Sequence, residues 1–227
     1  LLLFIPKYIV DKKSYIPSKK PLINTVRVFF ILMALFCTYY TYRNLPIGLA
    51  TSLGMTGPMF TVVLSIFFLK EQVNKIIYCA LLFGYIGILI IVRPDSLLLE
   101  VAILTSIAAN IFASAAILIT RYLSKYDNAT TIMIQTNCGV FFVSGIIFFI
   151  SGETIYINNN LIIIALIALA SFFFQYSTIL ALKFSEASLL APFEYTRLPF
   201  SFLLGYMFFG EEPSIYNLIG SCLIVAS

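Results

Sequence analysis

Charged residues are scarce in this sequence, and their scarcity determines the solvent in which the protein folds. Asp, Glu, Lys and Arg make up 11% of the residues, whereas 61% are hydrophobic. A soluble domain carries about 25% charged residues. So little charge cannot cover a water-facing surface, and in hydrocarbon every backbone polar group needs an internal partner. We therefore predict an all-α integral membrane protein.

Histidine is absent, which excludes several kinds of chemistry together. Without it there is no Ser–His nucleophile and no His-ligated metal or haem. The four cysteines lie far apart in apolar runs without CxxC spacing, and we interpret them as small buried hydrophobic residues. No GxxxxGK[ST] nucleotide-binding loop occurs. We predict that the protein is not an enzyme, that ATP does not drive it directly, and that it needs no metal or cofactor.

Apolar runs long enough to cross a bilayer occupy most of the chain. A spanning helix needs about 17–25 such residues, and short loops rich in Pro, Asn and Gly join the runs. The seven complete spans lie at 25–43, 47–69, 76–92, 101–120, 129–150, 161–182 and 187–209. Shorter runs at 1–10 and 215–227 are predicted to be truncated spans, so we expect a fragment of a longer protein.

Basic residues are distributed unevenly between the two ends of these spans. Eleven lysines and arginines lie on one side, and only Arg43 and Arg93 lie on the other. Because basic loops stay in the cytoplasm, the Lys-rich loop 11–24 is predicted to be cytoplasmic. The remaining basic residue, Arg197, falls inside a span.

Two segments of the chain resemble each other at an offset of 141 residues. Pro58–Glu71 and Pro199–Glu212 both begin with Pro, continue through aliphatic and aromatic residues, and end in Phe-Phe-x-x-Glu. By the span count they lie five spans apart, which gives them opposite orientations. Inverted repeats of this kind are common in secondary transporters. Chance similarity between two Phe-rich helices is the alternative, and the matched Pro and Glu argue against it.

These segments are similar to the EamA family of the drug/metabolite transporter superfamily, although Leu69 stands where the first repeat usually has Gly. The resemblance covers nearly the whole chain. It implies a multi-span bundle of two inverted five-helix repeats, of which this chain is a fragment. The first repeat would be 1–94, incomplete at its N-terminus, and the second 97–227, incomplete at its C-terminus. The run from Ala191 to Arg197 most resembles bacterial S-adenosylmethionine uptake carriers, which implies the inner (cytoplasmic) membrane.

Glu194 and Arg197 are the most informative candidates for a binding site. Both fall well inside the predicted span 187–209, where a charge costs roughly 2.5–3.5 kcal/mol. Their spacing of three places them on one helix face. Arg197 would anchor a substrate carboxylate, while Glu194 would face a substrate cation or titrate as a proton site. The alternative is a structural pair in which each charge neutralises the other.

Other polar and aromatic residues within the spans complete the predicted substrate-binding set. They are Tyr195, Asn110, Gln175, Tyr39 and Tyr40, with Ser114, Gln135, Asn137 and Tyr176 as further polar groups deep enough to line a cavity. Because a buried amide often joins helices, interhelical hydrogen bonding is the alternative for each amide.

Prolines and glycines interrupt two of the spans. Gly57, Pro58, Pro192 and Pro199 are predicted hinges or helix breaks. Close packing of helices through small residues is the alternative. Glu71, Glu211 and Glu212 lie at span ends, where we expect them to cap a turn or fix a helix end.

The sequence as a whole predicts a secondary transporter that works by alternating access. The expected substrate is a small zwitterionic or cationic metabolite, either S-adenosylmethionine or an amino-acid-like molecule. An exporter of drugs or amino acids from the same superfamily, and a non-transporting membrane scaffold, are the alternatives. The expected partners are the substrate and membrane lipid, without nucleic acid, and a homodimer is left open.

Overall fold

A computed structural model describes residues 18–45, 50, 53–92, 101–151 and 161–196, together with 200, 207, 216, 219–220 and 222–223. Within these residues every regular element is helical. The helices are α1 (Pro21–Asn44), α2 (Gly57–Leu64), α3 (Lys75–Val92), α4 (Val101–Ser124), α5 (Ala129–Ser151), α6 (Leu161–Phe184) and α7 (Ala187–Leu190). A π-helix, Ser65–Leu69, continues α2, and a 3-10 helix, Ala191–Thr196, continues α7.

Among the residues that the structure describes, four helices are long and apolar enough to cross a membrane, namely α1, α4, α5 and α6. They coincide with the predicted spans 25–43, 101–120, 129–150 and 161–182, and their ends extend beyond the predictions by no more than four residues. Their outer surfaces are apolar: Phe149 is 85% exposed and Ile150 is 81% exposed. Exposing such apolar faces to water would be energetically unfavourable, so we interpret them as surfaces that contact lipid.

The predicted spans 47–69 and 187–209 are not uniform α-helices where the structure describes them. In the first, a turn at Met55 and Thr56 separates a short helical segment from α2. Pro58 stands in the first turn of α2, where its missing N–H costs no hydrogen bond. In the second, α7 lasts four residues before it tightens into the 3-10 helix. The predicted run 1–10 lies outside the described residues, and so do residues 93–100, which include the predicted boundary between the repeats.

The chain forms two compact units, which we call the first unit (Leu1–Phe29 with Ile119–Phe184) and the second unit (Phe30–Leu118 with Ser185–Ser227). Each unit contains residues from both predicted repeats. The division at 94 and 97 concerns internal sequence similarity rather than compactness, and it stays a prediction.

The first unit is built around a buried arginine. Arg27 on α1 is 2% exposed, and its Nε donates to Asn24 Oδ1 over 2.9 Å. Its Nη atoms donate to the Ile132 carbonyl over 2.8 Å, to the Thr120 hydroxyl over 3.3 Å, and to the Thr136 hydroxyl. The guanidinium thus joins α1 to α4 and α5 through neutral oxygen acceptors.

The start of α1 is fixed by a carboxylate from the loop between α4 and α5. Asp127 is buried and accepts hydrogen bonds from the Ser18 hydroxyl and, over 2.9 Å, from the Lys19 amide. Lys20 donates to the Tyr122 hydroxyl and lies 4.1 Å from the ring centroid of Tyr126. The hydrogen bond to Tyr122 raises the pKa of Lys20, which favours its charged form.

The second unit has an apolar core that connects α2, α3 and the 3-10 helix. Val62, Leu81 and Tyr195 are among its buried members. The Tyr195 ring packs directly on Gly84 of α3: a Cβ at that glycine would lie 2.2 Å from Tyr195 Cδ2. Glycine is therefore required at this position for the 3-10 helix to approach α3.

Candidate functional site

The second unit contains a polar cavity of about 240 Å³. Its described lining is formed by hydroxyl groups, one carboxamide, one carboxylate and small residues. These residues are Thr38, Thr41, Tyr42, Ala50, Gly54, Gly57, Thr61, Ser106, Ala109, Asn110, Ala113, Ser114, Ile117 and Glu194. A cavity with this lining suits a small polar molecule, since its groups can donate and accept hydrogen bonds inside an otherwise apolar bundle.

One face of α4 supplies much of the polar wall. Ser106, Asn110 and Ser114 follow one another at intervals of four residues, so they line the same side of the helix. The Ser114 hydroxyl donates to the Gly57 carbonyl over 3.1 Å and lies 3.0 Å from the Thr61 hydroxyl. These contacts connect α4 to the beginning of α2.

Asn110 holds the interrupted segment that precedes α2. Its Nδ2 lies 2.8 Å from the Leu53 carbonyl and 3.1 Å from the Thr56 hydroxyl. Its Oδ1 would be 3.2 Å from a Cβ placed on Gly57. Asn110 therefore contributes both to the cavity wall and to the helix break, and Gly57 allows the amide to approach the backbone.

Glu194 is the only charged side chain among the described residues that line the cavity. It belongs to the 3-10 helix, immediately before the buried Tyr195. A partly buried carboxylate among hydroxyls and an amide attracts a cation or a hydrogen-bond donor. On charge, we therefore expect the described lining to favour neutral or positively charged molecules over anions.

A second carboxylate holds the segment that carries Glu194. Glu71 follows the π-helix and Lys70, whose φ of 54° lies in the left-handed region. The Glu71 carboxylate accepts hydrogen bonds from the Ala187 amide over 3.1 Å and from the Ser188 amide over 3.0 Å. Glu71 therefore lies at a helix end, as expected from the sequence, but it caps α7 rather than its own helix.

The predicted binding residues occupy different places. Glu194, Asn110 and Gly57 line the cavity together, and so does Ser114. Tyr195 packs in the core beside α3, while Tyr39 and Tyr40 are exposed on α1. Gln175 belongs to α6 of the first unit. Arg197 and Pro199 lie outside the described residues, so the pairing of Glu194 with Arg197 stays a prediction.

Sequence reasoning missed several hydroxyl groups of the cavity, notably Thr38, Thr41 and Thr61. The repeated spacing of Ser106, Asn110 and Ser114 was a signal that could have identified the polar face of α4. Arg27 is one of the eleven basic residues that indicate topology, and its place inside the predicted span 25–43 was a signal that it is buried.

The long apolar helices and the polar cavity define a multi-pass membrane protein able to admit a small molecule. Comparison with known proteins makes the class more specific. A model of the EamA-like transporter family matches residues 1–93 and 100–227. The chain belongs to this family, and the protein is a membrane transporter rather than an enzyme.

Named relatives include transporters of two different metabolites. The riboflavin transporter of Brucella anthropi is 27% identical, and the match covers 100% of this chain and 82% of that protein. The S-adenosylmethionine uptake transporter of Rickettsia bellii is 22% identical over 99% of this chain and 77% of that protein. A crystal structure with 16% sequence identity matches with a TM-score of 0.81, covering 99% of this chain and 81% of that one. This last match shows a shared fold.

Proposed function

We propose that this transporter carries a small polar metabolite across the bacterial cytoplasmic membrane by alternating access, with the cavity of the second unit as part of its substrate site. The observation that carries the proposal is Glu194 beside the hydroxyls and amide of α4 in one cavity. Inverted repeats at 1–94 and 97–227 would supply the two access states, since exchanging the conformations of such repeats exposes a site to opposite sides.

S-adenosylmethionine is the first substrate candidate. Its sulfonium and ammonium groups are positive, and Glu194 offers the matching carboxylate. Its carboxylate would require a cation, the role proposed for Arg197. The relatives named as S-adenosylmethionine uptake transporters support this choice.

Riboflavin is the second candidate, and a separate observation favours it. Most of the polar lining is neutral, with Ser106, Asn110 and Ser114 as donors and acceptors for a polyol. A substrate without charge would use Glu194 as a hydrogen-bond acceptor and would not need Arg197. Relatives named as riboflavin transporters support this alternative.

Uptake into proteoliposomes distinguishes the two candidates. Full-length protein would be reconstituted and supplied with radiolabelled S-adenosylmethionine or riboflavin, with amino acids as a third group. Saturable uptake of S-adenosylmethionine that Glu194→Gln and Arg197→Ala both abolish would support the first candidate. Saturable uptake of riboflavin that survives Arg197→Ala would support the second. Folded protein that transports no member of the panel would refute the proposed substrate class.

A further inference from the structure

The segment Ala187–Thr196, which we call the wall segment, has few internal hydrogen bonds of the regular α type. It has four α-helical residues followed by six residues of 3-10 helix. Such short pieces are marginal alone because nucleating a helix fixes several residues for each hydrogen bond gained. Its position must therefore be set by contacts with its neighbours.

Two contacts with the rest of the second unit hold the wall segment at its opposite ends. At the beginning, the Glu71 carboxylate accepts hydrogen bonds from Ala187 and Ser188, at 3.1 and 3.0 Å. Near the end, the buried Tyr195 ring fits against Gly84. Glu194 lies between these two contacts, next to Tyr195. Fixing both ends fixes the position from which Glu194 reaches the cavity.

The capping arrangement is specific to Glu71. Glu186 occupies the N-cap position of α7, yet its side chain makes no capping hydrogen bond and is exposed. The first two amides of α7, those of Ala187 and Ser188, instead donate to Glu71, which lies 116 and 117 positions earlier in the chain. The Ser188 amide is one that an N-cap side chain could otherwise satisfy. Charge-assisted hydrogen bonds are about twice as strong as neutral ones, so a remote carboxylate is an effective means of holding this helix end.

We propose that Glu71 is a positioning residue for substrate binding, which acts by holding the wall segment so that Glu194 faces the cavity. The inference rests on the proposed function only in treating the cavity as the substrate site. Glu71 itself does not line the cavity, and it contacts no substrate in this mechanism. Its removal should therefore weaken substrate affinity while leaving most of the protein folded and able to bind at high concentration.

The test compares Glu71→Gln with Glu186→Gln, a matched loss of charge at the same helix end. Equilibrium binding of radiolabelled S-adenosylmethionine and riboflavin to purified full-length protein gives both the Kd and the number of sites. We expect Glu71→Gln to raise the Kd by about tenfold with the number of sites unchanged. Glu186→Gln should leave both at the parent values. A fall in the number of sites at constant Kd would indicate a general folding role and would overturn the proposal.

Amide hydrogen exchange supplies a second readout that needs no ligand. Peptides covering the wall segment should exchange faster in Glu71→Gln and at the parent rate in Glu186→Gln. Unchanged exchange in Glu71→Gln would overturn the positioning role even if transport changed. If the parent protein bound none of the panel, the proposed function would fail, and exchange alone would decide whether Glu71 holds the wall segment.

Discussion

The contact between Gly84 and Tyr195 predicts that adding one methyl group at position 84 will destabilise the protein. In Gly84→Ala the new Cβ would lie 2.2 Å from Tyr195 Cδ2 and 2.6 Å from Cε2. Because carbon atoms pack at about 3.5–4.0 Å, the ring must retreat by more than an ångström. Tyr195 is fully buried, so we expect the 3-10 helix that carries the ring to shift with it.

The expected energy follows from two opposing effects. Overpacking of this kind costs roughly 1–3 kcal/mol, whereas replacing a helical glycine by alanine gains about 1 kcal/mol. Gly145 on α5 is a matched control, since a Cβ there would meet nothing within 4 Å. Gly84→Ala should therefore be less stable than Gly145→Ala by the overpacking cost, about 1–3 kcal/mol.

Thermal unfolding in detergent, supported by equilibrium unfolding in denaturing detergent, measures this difference. Gly84→Ala should also weaken substrate binding, because the displaced 3-10 helix carries Glu194. Shortening the side chain should relieve the clash, so adding Tyr195→Leu should reduce the cost of Gly84→Ala. If Gly84→Ala were as stable as Gly145→Ala and bound substrate normally, the described packing of the 3-10 helix on α3 would be wrong.

Three further substitutions test other parts of the structure. Arg27→Lys should lower the unfolding temperature more than Arg27→Met, because lysine keeps the cost of a buried charge and loses the planar array of donors. An equal fall in unfolding temperature for the two variants would contradict this. Asn110→Asp should destabilise the protein by about 1–3 kcal/mol, since the Leu53 carbonyl loses its donor. Substrate uptake should fall as well. If stability and uptake both stayed at the parent values, Asn110 would not hold the segment before α2. Lys70→Gly should raise the unfolding temperature, because the left-handed conformation at φ 54° costs a non-glycine residue roughly 1 kcal/mol. Lys75→Gly is the control and should lower the unfolding temperature, because Lys75 lies in α-helical backbone, where glycine is unfavourable.

The sequence allowed the long helices to be predicted because apolar runs of bilayer length have few alternative structures. The spans that became α1, α4, α5 and α6 were located to within a few residues. The break before α2 was also predicted, since Gly57 and Pro58 are adjacent there. Local composition was sufficient in these cases.

The hydrogen-bonded networks were less predictable because they connect distant parts of the chain. Arg27 reaches Ile132 and Thr136, which lie 105 and 109 residues later. Glu71 was expected at a helix end, but the identity of the helix that it caps depends on the fold. No pattern within a single span indicates such partners, whereas the spacing of Ser106, Asn110 and Ser114 was a local signal.

The central claim is that substrate occupies the cavity of the second unit, and thiol protection tests it most directly. In a variant whose native cysteines are replaced and which still transports, Ala113→Cys would place a thiol on the cavity wall. Lys125→Cys, exposed in the loop between α4 and α5, is the control. A transported substrate should slow labelling of Ala113→Cys by a water-soluble thiol reagent and leave Lys125→Cys unaffected. Equal labelling of Ala113→Cys with and without saturating substrate would contradict the account.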